Sequence, residues 1–213
     1  MPVFVTGTDT GVGKTITSGY ILKKYHQKYK NLRYWKPVQT GFPPDDDAKT
    51  VLEISNLSES WILPGWKYRA PVSPHFAAEL ENTEVPLSTL KEAYYNYSKE
   101  YSLLIEGAGG ILVPLSRTYL WIDWVQELKI PVLIVARSTL GTINHTLLTV
   151  EALSKRNIPI IGIVFCGRYD EPYIHDNRKI ISELTKLPVI SYFDIHKDTN
   201  IDVDPNFIIE KYL

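Results

Sequence analysis

Cysteine is almost absent from the chain: Cys166 is the single one among 213 residues, so no disulfide can form within it and a reducing compartment is expected. Long hydrophobic runs are missing too. Nowhere do 18 apolar residues follow one another, which predicts no membrane-spanning helix. Neither sign of charge dominates: 23 basic and 24 acidic residues leave a net charge of −1, giving no electrostatic case for nucleic acid or an anionic membrane surface as partner. The start, Met-Pro-Val-Phe-Val, has no basic segment followed by a cleavable apolar stretch, so no export signal is read and the expected location is cytoplasmic. The five histidines (His26, His75, His145, His175 and His196) lack metal-ligand spacing, which argues against a zinc site. There is no internal repeat, low-complexity tract or linker, and residues 1–213 read as a single domain.

What is present is alternation. Short apolar runs rich in β-branched residues at 3–6, 32–38, 102–106, 132–136, 159–165 and 188–191 read as strands. Helical patterns at 14–29, 87–100, 119–127, 144–156 and 173–187 lie between them. Several strands are apolar on both faces, as expected where helices cover both sides of a sheet. The expectation is an α/β fold, a doubly wound and mostly parallel sheet with right-handed crossovers. The stretch 41–86 looks irregular: seven of the fourteen prolines fall in it or at the loop leading into it (Pro37), and it reads as a functional or mobile insertion rather than core.

The strongest local signal follows the first strand and opens the first helix: Thr6-Gly7-Thr8-Asp9-Thr10-Gly11-Val12-Gly13-Lys14-Thr15. This is the context of a P-loop, in which glycines let successive amide N–H groups point at phosphate oxygens and the helix N-terminus adds its positive end. Lys14 is placed to reach the β and γ phosphates and Thr15 to offer its hydroxyl to Mg²⁺. The pattern has Thr8 where a glycine is usual, with Gly7 one position earlier.

Two further clusters close strands, where ligands of open α/β sheets bind. Trp35-Lys36-Pro37-Val38-Gln39-Thr40-Gly41 brings Lys36, a second cation for charge that builds up in phosphoryl transfer, and Thr40. Alone, Lys36 reads equally as a solvated lysine and Thr40 as a turn residue. Ile105-Glu106-Gly107-Ala108-Gly109-Gly110 places Glu106 where P-loop proteins hold Mg²⁺. Of the acidic run Asp45-Asp46-Asp47, one is expected to face the metal, the others being solvated. Cys166 reads as a small buried residue, and Trp121 and Trp124 as core or interface.

In order and spacing, the segments T-G-T-D-T-G-V-G-K-T, K-P-V-Q-T-G, D-A, S-P-H, E-G-A-G-G and T-L-G-T-I-N-H resemble the dethiobiotin synthetase family over most of the chain, from Val3 to about Gly162. The resemblance implies an ATP-dependent ligase of biotin biosynthesis: 7,8-diaminopelargonic acid takes up CO₂ as a carbamate, the γ-phosphoryl group activates it, and the second amine closes the cyclic urea. It implies Lys14 and Lys36 as catalytic cations, Thr15, Asp47 and Glu106 as Mg²⁺ ligands, and Thr40 at the substrate. Gly11, Val12, Gly13, Lys14, Thr15 and Ile16 would wrap the triphosphate, and Glu106, Gly107, Ala108 and Gly109 would run beside it. Gly141, Thr142 and Asn144 would hold the substrate carboxylate at a helix N-terminus, across the interface of a homodimer.

Family members often carry asparagine–aspartate where this chain has Cys166-Gly167, and the late Ile-Pro loop beside the base is replaced by Tyr192-Phe193-Asp194. Because cysteine is a poor hydrogen-bond partner, base reading falls to backbone groups and nucleoside triphosphates other than ATP become acceptable. The rival class is a nucleotide-switched ATPase of the ParA or MinD kind. Those carry a second lysine inside the P-loop; Thr8-Asp9-Thr10 holds none, and the tail 207–213 is short for a membrane-seeking helix.

Overall fold

The computed structural model describes residues 2–167 and 173–194, the last four by backbone alone. Its strands are β1 (Val3–Gly7), β2 (Leu32–Trp35), β3 (Val38–Gln39), β4 (Ile62–Leu63), β5 (Trp66–Lys67), β6 (Ser102–Gly110), β7 (Pro114–Ser116), β8 (Tyr119–Leu120), β9 (Val132–Arg137), β10 (Ile160–Gly167) and β11 (Val189–Asp194). The helices are α1 (Lys14–Tyr25), α2 (Asp47–Ser55), α3 (Pro74–Leu80), α4 (Leu87–Glu100), α5 (Trp121–Leu128), α6 (Thr142–Lys155) and α7 (Ile174–Thr185), with a 3₁₀ turn at Glu59–Trp61.

Seven strands form one sheet in the order β11-β10-β9-β1-β6-β2-β4, every pair parallel. Side chains alternate across it, as the period of a strand requires. Phe4, Trp35, Leu103, Ile105 and Ile134 enter a core that also holds α4 and α5 residues, while Val3, Val5, Tyr34, Leu104 and Leu133 pack on the other face with Ile21 and Leu22 of α1. Trp121 and Trp124 are fully buried, which settles them as core; they lie 5.4 and 6.1 Å from the Phe4 ring. Each such side chain contributes about 1.5–3 kcal/mol of burial.

Three expectations need correction. The run 32–38 is not one strand: β2 stops at Trp35, and β3 leaves the main sheet to pair with β5. The stretch 41–86 is not an irregular insertion, for it contains α2, α3, β4 and β5, and Val51, Ala77, Ala78 and Val85 in it are buried core. Its prolines stop neither helix: Pro74 sits in the first turn of α3, where a missing N–H costs nothing, and Asp46 caps α2 by accepting from the Lys49 N–H. Finally, Tyr192, Phe193 and Asp194 are not loop; their backbone extends β11 opposite Phe165, Cys166 and Gly167 of β10. The tail 207–213 and His196 lie outside the described residues.

Candidate functional site

β1 lies between β6 on one side and β9 on the other, with crossovers leaving in opposite directions, so a crevice opens at the carboxyl ends of these strands. A cavity of about 790 Å³ occupies it. The loop from β1 to α1 forms its floor, with Gly11 at φ 68° and Gly13 at φ 97°, backbone conformations that suit glycine. Gly13 caps α1, and Lys14 is its first residue. The Lys14 ammonium donates to the Asp9 carbonyl at 3.1 Å. Burial first, and then the charge of Lys36, pushes Lys14 down to about 8, against the pull of Glu106, Asp47 and Asp9.

Five predicted residues converge. The Thr15 hydroxyl lies 3.0 Å from Asp47 Oδ1 and 2.9 Å from Glu106 Oε1. Lys36 Nζ donates to Glu106 Oε1 at 3.0 Å, pairs with Asp47 Oδ2 and reaches the Gly107 carbonyl at 3.3 Å. Burial would lower Lys36, but the carboxylates of Glu106 and Asp47 outweigh it and hold the ammonium above its ordinary range. Burial likewise raises Asp47, yet Lys36 and the Thr15 hydroxyl bring it below the usual carboxylate value.

Glu106 has no solvent exposure, and two residues that sequence reading missed hold its other oxygen: Ser18 at 2.8 Å and Tyr34 at 3.1 Å donate to Oε2. Burial, then the charge of Glu106, holds the Tyr34 phenol well above its ordinary value, so it remains a donor. Ser18 stands one helical turn after Thr15, a spacing that puts the pair on one face of α1 and was the available signal for it; Tyr34 stands on β2, just before Lys36.

The hydroxyl and two carboxylates are three hard oxygen donors of the type Mg²⁺ takes, fewer than its six positions. That fits an ion completed by phosphates and water rather than an all-protein cage. Of the three acids, Asp46 caps α2 and meets Lys67 at 3.7 Å, and Asp47 alone contacts Thr15 and Lys36.

Of the residues singled out in the sequence, 11–16, Lys36, Thr40, Asp47, Glu106, Ala108, Gly109, Cys166 and Gly167 line the cavity. Gly107 contributes its carbonyl to Lys36. Gly141, Thr142 and Asn144 do not line it: Gly141 (φ 94°) caps α6, Thr142 begins it, and the neighbouring Leu140 is 91 % exposed. Arg137 and Thr139 line it unforeseen, and Arg137 meets Asp9 of the P-loop at 2.5 Å. Ser73 and Pro74 also line it, with His75 Nδ1 held 3.0 Å from the Ser73 hydroxyl.

At the far wall Cys166 lies 3.4 Å from the Thr17 hydroxyl, and burial pushes its thiol up to about 12. A Cβ on Gly13 would stand 2.6 Å from the Cys166 Cβ and Sγ. A Cβ on Gly167 would overlap Ser138 Oγ and lie 3.0 Å from Ser138 Cβ, so Ser138 fills the space of a side chain at 167. No helix among the described residues is long and apolar enough to cross a membrane.

A family model described as AAA domain matches residues 2–200. An ATP-dependent dethiobiotin synthetase of Brucella anthropi is 42 % identical over 197 residues, covering 89 % of this chain and 87 % of the relative. One of Leptospira interrogans is 40 % identical over 205 residues, covering 96 % and 90 %. Among solved structures, a plasmid partition protein of Borrelia burgdorferi bound to AMPPNP superposes with TM-score 0.56 at 13 % identity, covering 98 % of this chain and 93 % of that one. The MinD cell division protein of Aquifex aeolicus gives 0.53 at 13 %, covering 90 % and 80 %. At those identities the likeness is one of fold.

Proposed function

Because this chain belongs to the ATP-dependent dethiobiotin synthetase family, carbon–nitrogen ligases of biotin biosynthesis, we propose that the cavity beside the P-loop carries out that reaction on 7,8-diaminopelargonate and CO₂ in the cytoplasm. The observation that carries the assignment of roles is the meeting of Lys14, Thr15, Lys36, Asp47 and Glu106 at one end of the parallel sheet.

The P-loop amides of residues 11–16 hold the triphosphate, and Lys14 neutralises its terminal oxygens. Thr15, Asp47 and Glu106 would hold Mg²⁺, which would supply screening of the phosphate charge. Lys36 and Thr40 face the substrate: one amine carries the carbamate, whose oxygen attacks the γ-phosphorus and displaces ADP. The second amine then attacks the carbamoyl carbon, closing the urea and expelling phosphate. No covalent nucleophile is asked of the protein; two ammonium groups and orientation supply the acceleration. Gly141, Thr142 and Asn144, away from this chain's own cavity, serve the substrate carboxylate of a second copy in a homodimer. The exposed Leu140 and Leu148 beside them are apolar surface that such a copy would cover.

The test is mass-spectrometric detection of dethiobiotin from diaminopelargonate, bicarbonate, Mg²⁺ and ATP. Product with the unaltered chain, absent with Lys14→Ala and with Lys36→Ala, is the expected result. Nucleotide hydrolysis without product would remove the substrate assignment and favour a nucleotide-switched ATPase.

A further inference from the structure

We propose that the Lys36 ammonium and a divalent cation compete for the same two carboxylates, so that cation binding frees Lys36 to swing toward the phosphates. The inference rests on the reading of Asp47 and Glu106 as cation ligands. Lys36 Nζ touches both, and its Glu106 partner, Oε1, is also the oxygen that accepts from Thr15. The ammonium and the hydroxyl therefore converge on the oxygens a metal would need.

Charge makes the arrangement exclusive. Glu106 is fully buried and Lys36 is 8 % exposed, so a carboxylate pair without a cation would be costly there, and Lys36 is the group that neutralises it. A divalent ion on the same oxygens would put like charges in contact at low effective dielectric, which expels the ammonium. Lys14 is different: its ammonium bonds the Asp9 backbone carbonyl, and Glu106 and Asp47 act on it through charge rather than as hydrogen-bonding partners. One lysine is thus stationed on the phosphate loop, while the other is held back until the metal arrives. This orders the site, with the second ammonium delivered only when a divalent cation is in place.

The experiment is a Mn²⁺ titration of the full chain without nucleotide, reading free Mn²⁺ by electron paramagnetic resonance. Lys36→Met should bind Mn²⁺ about 10-fold or more tighter than the unaltered chain, and Lys14→Met should gain clearly less. Lys36→Arg, which keeps the charge, should stay within about 3-fold of it. No gain in Lys36→Met, or an equal gain in Lys14→Met, overturns the proposal. A second measurement needs no variant: the Lys36 side-chain ammonium signal in ¹⁵N NMR should move as Mg²⁺ is added, and an unmoved signal overturns it too. The titration contains neither ATP nor diaminopelargonate, so its failure is separate from a failure to form dethiobiotin.

Discussion

Tyr34→Phe removes one hydroxyl and leaves the ring that packs between the sheet and α1. That hydroxyl donates to Glu106 Oε2 at 3.1 Å inside a region without solvent. A hydrogen bond to a charged acceptor contributes about 1.5–3 kcal/mol. Glu106 keeps Ser18, Thr15 and Lys36 as donors, which argues for the low end. A loss of about 1.5–2 kcal/mol is therefore expected, or roughly 3–8 °C in Tm for a chain of this size. Urea unfolding should show a lower midpoint at unchanged slope, since the surface exposed on unfolding is the same. Because Tyr34 acts through Glu106, a double-mutant cycle with Glu106→Gln should return a coupling of about 1 kcal/mol or more. Stability within about 0.3 kcal/mol of the unaltered chain, or strict additivity in the cycle, would refute the view that the phenol secures the carboxylate.

Gly65→Ala puts a Cβ onto the Lys36 carbonyl oxygen and 3.0 Å from that of Pro37; a loss of roughly 2–4 kcal/mol is expected by chemical unfolding, with dethiobiotin formation falling more than about 10-fold as Lys36 shifts. The Cys166 thiol, raised to about 12, is about 1 part in 10⁴ thiolate at pH 8, so labelling by a disulfide reagent should run some three orders of magnitude slower than for a free thiol. Its rate should climb about tenfold per pH unit up to 12, and rapid labelling of the folded chain at pH 8 would contradict the burial argument. With cysteine at 166, kcat/KM for ATP, GTP and CTP should agree within about 10-fold, whereas a preference of several hundredfold for ATP would mean that other groups read the base.

The sequence was legible where chemistry and chain neighbourhood coincide. The P-loop declares itself through glycine spacing at a strand–helix junction, and α1 opens at Lys14 as that motif demands. The strands at the sheet centre were readable because apolar β-branched runs have few other uses. Less legible were contacts between positions distant in sequence: Tyr34 and Glu106 are 72 residues apart, and a tyrosine in an apolar run reads as packing. Helices α2 and α3 escaped because nine and seven residues are too few for a periodicity, although Asp46 and Pro74 were usable start signals. β6 runs four residues past the expected end because, after an irregularity in register, Gly110 pairs with Gly7 of β1.

The packing of Ser138 against Gly167 also constrains substitution. An aspartate at 167 would bring its first carbon onto the Ser138 hydroxyl and 3.0 Å from the Ser138 Cβ, so the serine side chain has to turn aside to admit it. A side chain at 167 is therefore easier to fit where residue 138 is smaller or turned away. The two positions are coupled through that contact: what one can carry depends on the size of the other.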